Sequence, residues 1–208
     1  MKHHTAVVVV DVQADFTESE GGALAVPGTG EDYLRHVITA TEEYHRQGLP
    51  VFATQDWHPK NHCSFAENHP GAAAFEVIEL PGGRKQVLWP THCVQDSEGA
   101  RILIPESLIY RVVRKGMNPD YDSYSGFNDD GGHPTGLEDL LKEEEIESLI
   151  VYGLATDYCV RATVLDALNL GFGVKLRLDL CRGVAPESTE QALEEMKAKG
   201  AEIISEQR

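Results

Sequence analysis

Apolar positions along the chain fall into two rhythms. Short, mostly apolar runs rich in β-branched residues occupy 6–10, 50–55, 107–114, 149–152, 173–178 and 201–204. A strand covered on both faces of a parallel sheet carries such a pattern. Between these runs the apolar residues return every three or four positions. The first helical stretch is 31–47, with Leu34, Val37, Ile38 and Thr41 facing inward and Gly48 as its stop, and others follow at about 137–145, 160–170 and 187–199;. Strand alternating with helix over 1–208 predicts one α/β domain, a three-layer α/β/α sandwich around a six-stranded, mainly parallel sheet. The run Glu143-Glu144-Glu145 reads as a solvated helix face;.

The connections are uneven. Long irregular stretches at 12–30, 57–101 and 116–136 follow three of the strands, and loops of that length inside a compact domain are usually functional;. Asp11, Asp56, Lys115 and Cys159 each fall at or just beyond the end of a different strand. A single charged residue there is ordinarily the point where the chain meets water. Ligands of parallel α/β sheets, however, bind beyond the carboxyl ends of the strands, and four complementary groups on that edge suggest a site.

Their chemistry is specific. A thiol attacks an acyl carbon only after losing its proton, so it needs a base and gains from a cation. Asp11 can be the base, Lys115 the cation and Cys159 the nucleophile, although a cysteine at this position can equally pack as a small buried hydrophobe. The turn after Tyr152 leads into a helix, whose first N–H groups favour a thiolate. Small residues in Gly153-Leu-Ala-Thr156 let backbone N–H groups approach a developing oxyanion, worth about 3 kcal/mol per donor. Asp56 and His58, at i and i+2, point to one side of an extended segment, and His92 could complete a mixed N/O cation site. Such a D-x-H pair is in general more often a satisfied loop pair than a ligand set. His62 is a candidate extra ligand; His69 and His133 are expected to face solvent, and His36 and His45 lie on a helix surface without signal.

Composition narrows the partners. A formal net charge of −16 disfavours nucleic acid and anionic membranes, leaving a small-molecule partner;. The early apolar run at 6–10 is too short to cross a bilayer;. Four cysteines without a C-x-x-C pair read as thiols of a reducing, cytoplasmic compartment;. Gly28-Thr-Gly30 lacks the third glycine of a dinucleotide fingerprint, and neither a Gly-x-Ser-x-Gly elbow nor a Walker loop is present;.

Several motifs together resemble the isochorismatase-like cysteine hydrolases, and within them the branch that acts on nicotinamide. They are Val9-Val-Asp-Val-Gln-Ala-Asp-Phe16, Gly21-Gly-Ala-Leu-Ala-Val26, Thr54-Gln-Asp-Trp-His-Pro59, Trp89-Pro-Thr-His-Cys-Val-Gln95, Arg114-Lys-Gly116, Ser123-Tyr-Ser-Gly-Phe127 and Gly153-Leu-Ala-Thr-Asp-Tyr-Cys-Val160. The resemblance implies the fold of that family over 1–208 and a catalytic set of Asp11, Lys115 and Cys159. It implies a divalent ion, zinc above all with iron or manganese as alternatives, on Asp56, His58 and His92. It implies an oxyanion hole from the backbone N–H groups of Ala155 and Cys159, with a cis bond at Ala155–Thr156. Phe16 and Trp89 would pack on a pyridine ring, with Tyr124 lining the same pocket. The implied reaction is hydrolysis of nicotinamide to nicotinate and ammonia through a cysteine thioester, in NAD salvage, with pyrazinamide as a second substrate. A homo-oligomer is compatible with it, and the Asn128–Gly132 loop has no implied role. A relative cleaving carbamoyl or ureido compounds and a non-enzymatic binding protein are the rival readings.

Overall fold

The structure is a computed structural model and describes residues 4–205. In chain order the elements are β1 (Thr5–Val10), α1 (Glu31–Arg46), β2 (Val51–Asp56), β3 (Val77–Glu79), β4 (Lys85–Val87), β5 (Arg111–Lys115), α2 (Leu137–Glu143), β6 (Ser148–Leu154), α3 (Arg161–Asn169), β7 (Gly173–Arg182), α4 (Pro186–Ala198) and β8 (Glu202–Ile204). Six strands form one parallel sheet in the order β5-β2-β1-β6-β7-β8. The chain therefore builds outward from β1 to β5, then returns to lay β6 against the other side of β1. That reversal is the switch point at which such sheets open a crevice. Among the described residues no helix is long and apolar enough to cross a membrane.

The central strands owe their place to composition. Val7, Val8, Val9 and Val10 of β1 are all buried, as are Leu149, Val151 and Tyr152 of β6. On α1 the buried residues are Tyr33, Val37, Ala40 and Thr41, while Leu34 and Ile38 are only partly buried. The inner face is thus rotated from the expected one, because Tyr33 reaches over to donate its hydroxyl hydrogen to the Leu180 carbonyl and Thr41 meets the Tyr152 hydroxyl.

Three further expectations are corrected. The strand expected at 107–114 starts only at Arg111, after a single 3-10 turn at Glu106–Leu108, because its sole neighbour β2 offers partners only from Phe52 to Asp56. The irregular stretch at 57–101 contains an antiparallel hairpin, β3 with β4, whose three-residue strands are too short to leave a pattern. The cis peptide joins Leu154 to Ala155, one bond before the expected position: β6 runs on through Leu154, so the chain turns at that residue.

Candidate active site

The site lies where β1, β2, β5 and β6 end. Register does much of the work: Asp56 and Lys115 are paired neighbours at the ends of β2 and β5, and Val10 pairs with Gly153 between β1 and β6. At Gly153 the backbones approach so closely that a Cβ would lie 2.1 Å from the Val10 oxygen. Glycine is what allows β6 to press against β1 there, and so brings Asp11 to the turn that carries Cys159.

Lys115 is buried and surrounded. Its Nζ lies 3.0 Å from Asp11 Oδ2, donates to the Ser123 carbonyl at 2.7 Å and to Cys159 Sγ at 3.5 Å, and makes a short contact with Asp56 Oδ1. Burial alone would lower its pKa, but Asp11, Asp56 and Cys159 hold it well above the ordinary value, so it stays an ammonium;. Asp11 sits just past β1 with φ +48°, donating its N–H to Thr54 Oγ1 at 3.1 Å and accepting that hydroxyl on Oδ1 at 2.6 Å. Burial raises the Asp11 carboxyl; Lys115 and the Thr54 hydroxyl work against that rise, and Asp56 adds to it.

Cys159 is not simply ahead of a helix. It falls inside a π-helical turn, Thr156–Val160, from which α3 continues. Burial pushes its thiol well above the ordinary range; Lys115 opposes this, while Asp11 and Asp56 add to it. Burial and the two carboxylates thus work against the acidification expected of a helix start;. In its thiol form Cys159 needs a destination for its proton before the sulfur can attack. The Asp11 carboxylate lies within 4.8 Å of Cys159 Sγ, and its Oδ2, beside Lys115 Nζ, accepts no hydrogen bond of good geometry, so it can take that proton.

Beside this cluster Asp56, His58 and His92, all buried, bring their ligand atoms within 4.8 Å of one another. His58 Nδ1 faces the Gly116 carbonyl at 2.9 Å and His92 Nδ1 the Pro90 carbonyl at 2.7 Å. A carbonyl only accepts, so both Nδ1 atoms carry hydrogen and both rings turn Nε2 inward, as histidine ligands held by an outer partner do. His58 Nε2 lies 3.4 Å from Asp56 Oδ2. A positive charge belongs in that space, either a shared proton or a cation. The residues present thus fit a divalent ion with mixed N/O ligands. Gly116 is required here: a Cβ would fall 2.3 Å from the His58 ring. Burial would raise Asp56, but Lys115 and then His58 hold it below the usual carboxylate range.

His62 does not join the set. Its Nε2 donates to the Tyr121 carbonyl at 3.1 Å and its Nδ1 accepts from the Ser64 N–H at 3.3 Å, with the Ser64 hydroxyl at 2.8 Å. Both nitrogens are used, and burial, then His58, lowers its pKa to about 4. His133 is exposed and paired with Asp129, as expected for a surface group, whereas His69 is partly buried and bonds the Cys63 carbonyl at 2.7 Å.

Both clusters open into one narrow pocket of about 50 Å³. Phe16, Trp89 and Tyr124 line it together with Asp56, His92, Ala155 and Cys159. Trp89 Nε1 donates to the Tyr124 hydroxyl at 3.1 Å, and Tyr158 stands edge-on to Trp89 at 5.2 Å. Sequence reasoning missed Tyr158, Asp122, Thr54 and Val184. Thr54 left one usable signal, a polar residue inside a fully buried strand. Asp122, which accepts from Gln86 Nε2 at 2.7 Å and lines the pocket, left none. The loop of unassigned role, 128–132, ties itself to this residue through the Asp130 N–H and the Asp122 carbonyl at 2.8 Å.

Fold and site together place the chain among the parallel α/β proteins that gather polar groups at the carboxyl edge of the sheet, here Asp11, Lys115 and Cys159 beside Asp56, His58 and His92;. The isochorismatase domain pattern matches residues 5–208, and the chain belongs to that family. It is 46% identical to the nicotinamidase of Escherichia coli K12 over 205 residues, covering 96% of this chain and 94% of that one. Among solved structures it resembles the nicotinamidase/pyrazinamidase of Acinetobacter baumanii, with TM-score 0.88, 40% identity and 97% and 96% of the two chains covered. It also resembles the pyrazinamidase of Pyrococcus horikoshii in complex with zinc, with TM-score 0.80, 38% identity and 98% and 100% covered.

Proposed function

We propose that this chain is a nicotinamidase that hydrolyses nicotinamide to nicotinate and ammonia in cytoplasmic NAD salvage, with pyrazinamide as a second substrate. The observation that carries the reading is one aromatic-walled pocket fed by two clusters, Asp11–Lys115–Cys159 and Asp56–His58–His92. An amide carbon placed at Cys159 leaves a pyridine ring between Phe16 and Trp89, with its nitrogen toward the histidines. A divalent ion on Asp56, His58 and His92, zinc in the first place, would act as a Lewis acid toward that nitrogen.

The chain's own residues carry the proton and the acyl group. Asp11 Oδ2 takes the Cys159 proton while the sulfur forms a bond to the amide carbon. The N–H groups of Ala155 and Cys159 hold the resulting oxyanion. Asp11 then gives its proton to the leaving nitrogen, the C–N bond breaks, and ammonia departs from an acyl-cysteine. Water attacks the thioester, Asp11 accepts its proton, and the sulfur leaves to recover it as a thiol. Lys115 keeps Asp11 anionic at the start of each half-reaction, which burial alone would oppose;.

Ammonia release from nicotinamide and from a ureido compound, each with and without prior chelation, tests the proposal. Turnover of nicotinamide that falls with chelation and returns with zinc is expected, with little release from the ureido compound. Preference for the ureido compound, or full turnover of nicotinamide by ion-free protein, would contradict it.

A further inference from the structure

Asp15 takes no part in the chemistry above, yet it touches the backbone from which the cation site is built. It lies in the 3-10 turn Ala14–Phe16 just after β1. Its Oδ2 accepts the Cys93 N–H at 2.7 Å, and its Oδ1 accepts the Ala23 N–H at 3.4 Å. Gly99 leaves room for the carboxylate, since a Cβ there would fall 2.0 Å from Asp15 Oδ2.

The Cys93 peptide joins both histidines. Cys93 directly follows His92, and its carbonyl accepts the His58 N–H at 3.0 Å, while the His58 carbonyl accepts the Gln95 N–H at 2.9 Å. Cys93 also has φ +44°, in the left-handed region that non-glycine residues hold only when their surroundings fix it;. The Asp15 bond is the fixing contact on the N–H side. Without it the 92–94 backbone can relax toward an ordinary conformation, turning His92 and loosening the strand-like pairing of His58 with Val94.

We infer that Asp15 is a positioning residue that sets the His58–His92 geometry for a divalent ion by holding the Cys93 peptide. The inference rests on the reading of Asp56, His58 and His92 as a cation site. It concerns a hydrogen bond, not the negative charge, and this is what separates it from simple attraction of a cation by a nearby carboxylate.

Cobalt(II) is the probe, added to chelator-stripped full-length protein and read both by competition with a chromophoric chelator and by its visible absorption bands. Asp15→Ala is expected to weaken cobalt binding by at least about tenfold, as loss of a partner behind a ligand does, and to alter the bands. Asp15→Asn, which keeps an oxygen for the Cys93 N–H, is expected to retain affinity and bands, and the Cys93 amide should stay protected from hydrogen exchange. A purely structural role would lower the melting temperature of Asp15→Ala and leave affinity and bands unchanged, which overturns the inference. So does a loss of affinity in Asp15→Asn with the Cys93 amide still protected. Should Asp15→Ala not fold, Asp15→Asn decides: affinity and Cys93 protection must be kept or lost together. A wild type that takes up no divalent ion overturns the cation-site reading and this inference with it. A wild type that binds, beside an Asp15→Ala that binds equally, overturns the inference alone.

Discussion

Lys115 shows what a single residue does in this site. Its ammonium sits among two carboxylates and a thiol, all buried, and no arrangement of the three acids would be tolerable in a dry pocket without it;. The same contacts separate the carboxylates: Asp56 is held below the usual range beside the histidines, while burial raises Asp11, as the proposed proton-shuttling role requires. Thr54 trims that balance, since its hydroxyl bonded to Oδ1 lowers the Asp11 pKa. Asp11 must be ionised to accept the thiol proton, so turnover rises with pH through its folded pKa. Removing the hydroxyl raises that pKa, and Thr54→Val is expected to move the acid limb of the kcat/KM profile to higher pH. A limb that stays in place or moves to lower pH would separate Asp11 from the base role.

At the scale of elements, the sequence was legible where one face or both faces of an element are buried by the fold. The valine run of β1, ending in Asp11, and the Leu149–Tyr152 segment of β6, ending in Gly153, are legible because short, mostly β-branched apolar runs with no polar alternation suit strands covered on both faces;. β5 was less legible: as an edge strand it buries only Val113 and Lys115 and exposes the rest, and a buried lysine has no hydrophobic signature. The short β3–β4 hairpin and the π-helical turn around Cys159 were invisible, since three-residue strands and a five-residue turn are too short to show a periodicity. Gly153 belongs to this scale. With φ +131° and the Val10 oxygen 2.1 Å from where a Cβ would stand, Gly153→Ala must push β6 off β1. A loss of at least about 2 kcal/mol in urea unfolding is expected, together with lost turnover, from strain and overpacking. Wild-type stability in this variant would show that the two strands do not need to approach so closely.

Over the whole molecule, the strand order explains why residues as distant in sequence as Asp11 and Cys159 meet. β1 and β6 are neighbours across the switch point, β2 and β5 stand to one side, and the loops leaving that edge supply Phe16, His92, Trp89 and Tyr124. The strand-end residues were readable because parallel sheets collect ligands at their carboxyl edge. The pairing of His58 and His92 through the Cys93 peptide was not, because it runs between loops. The net charge of −16 belongs to this scale too, and suits a neutral amide substrate better than a polyanion;. All of this converges on the Cys159 sulfur. Ammonia release from nicotinamide, compared between the wild type and Cys159→Ala at equal protein concentration and with metal restored, tests that convergence most directly. The expected result is turnover by the wild type and a fall of at least about a thousandfold in the variant, as removal of a nucleophile produces. A Cys159→Ala protein that hydrolyses nicotinamide at the wild-type rate would contradict the thioester mechanism.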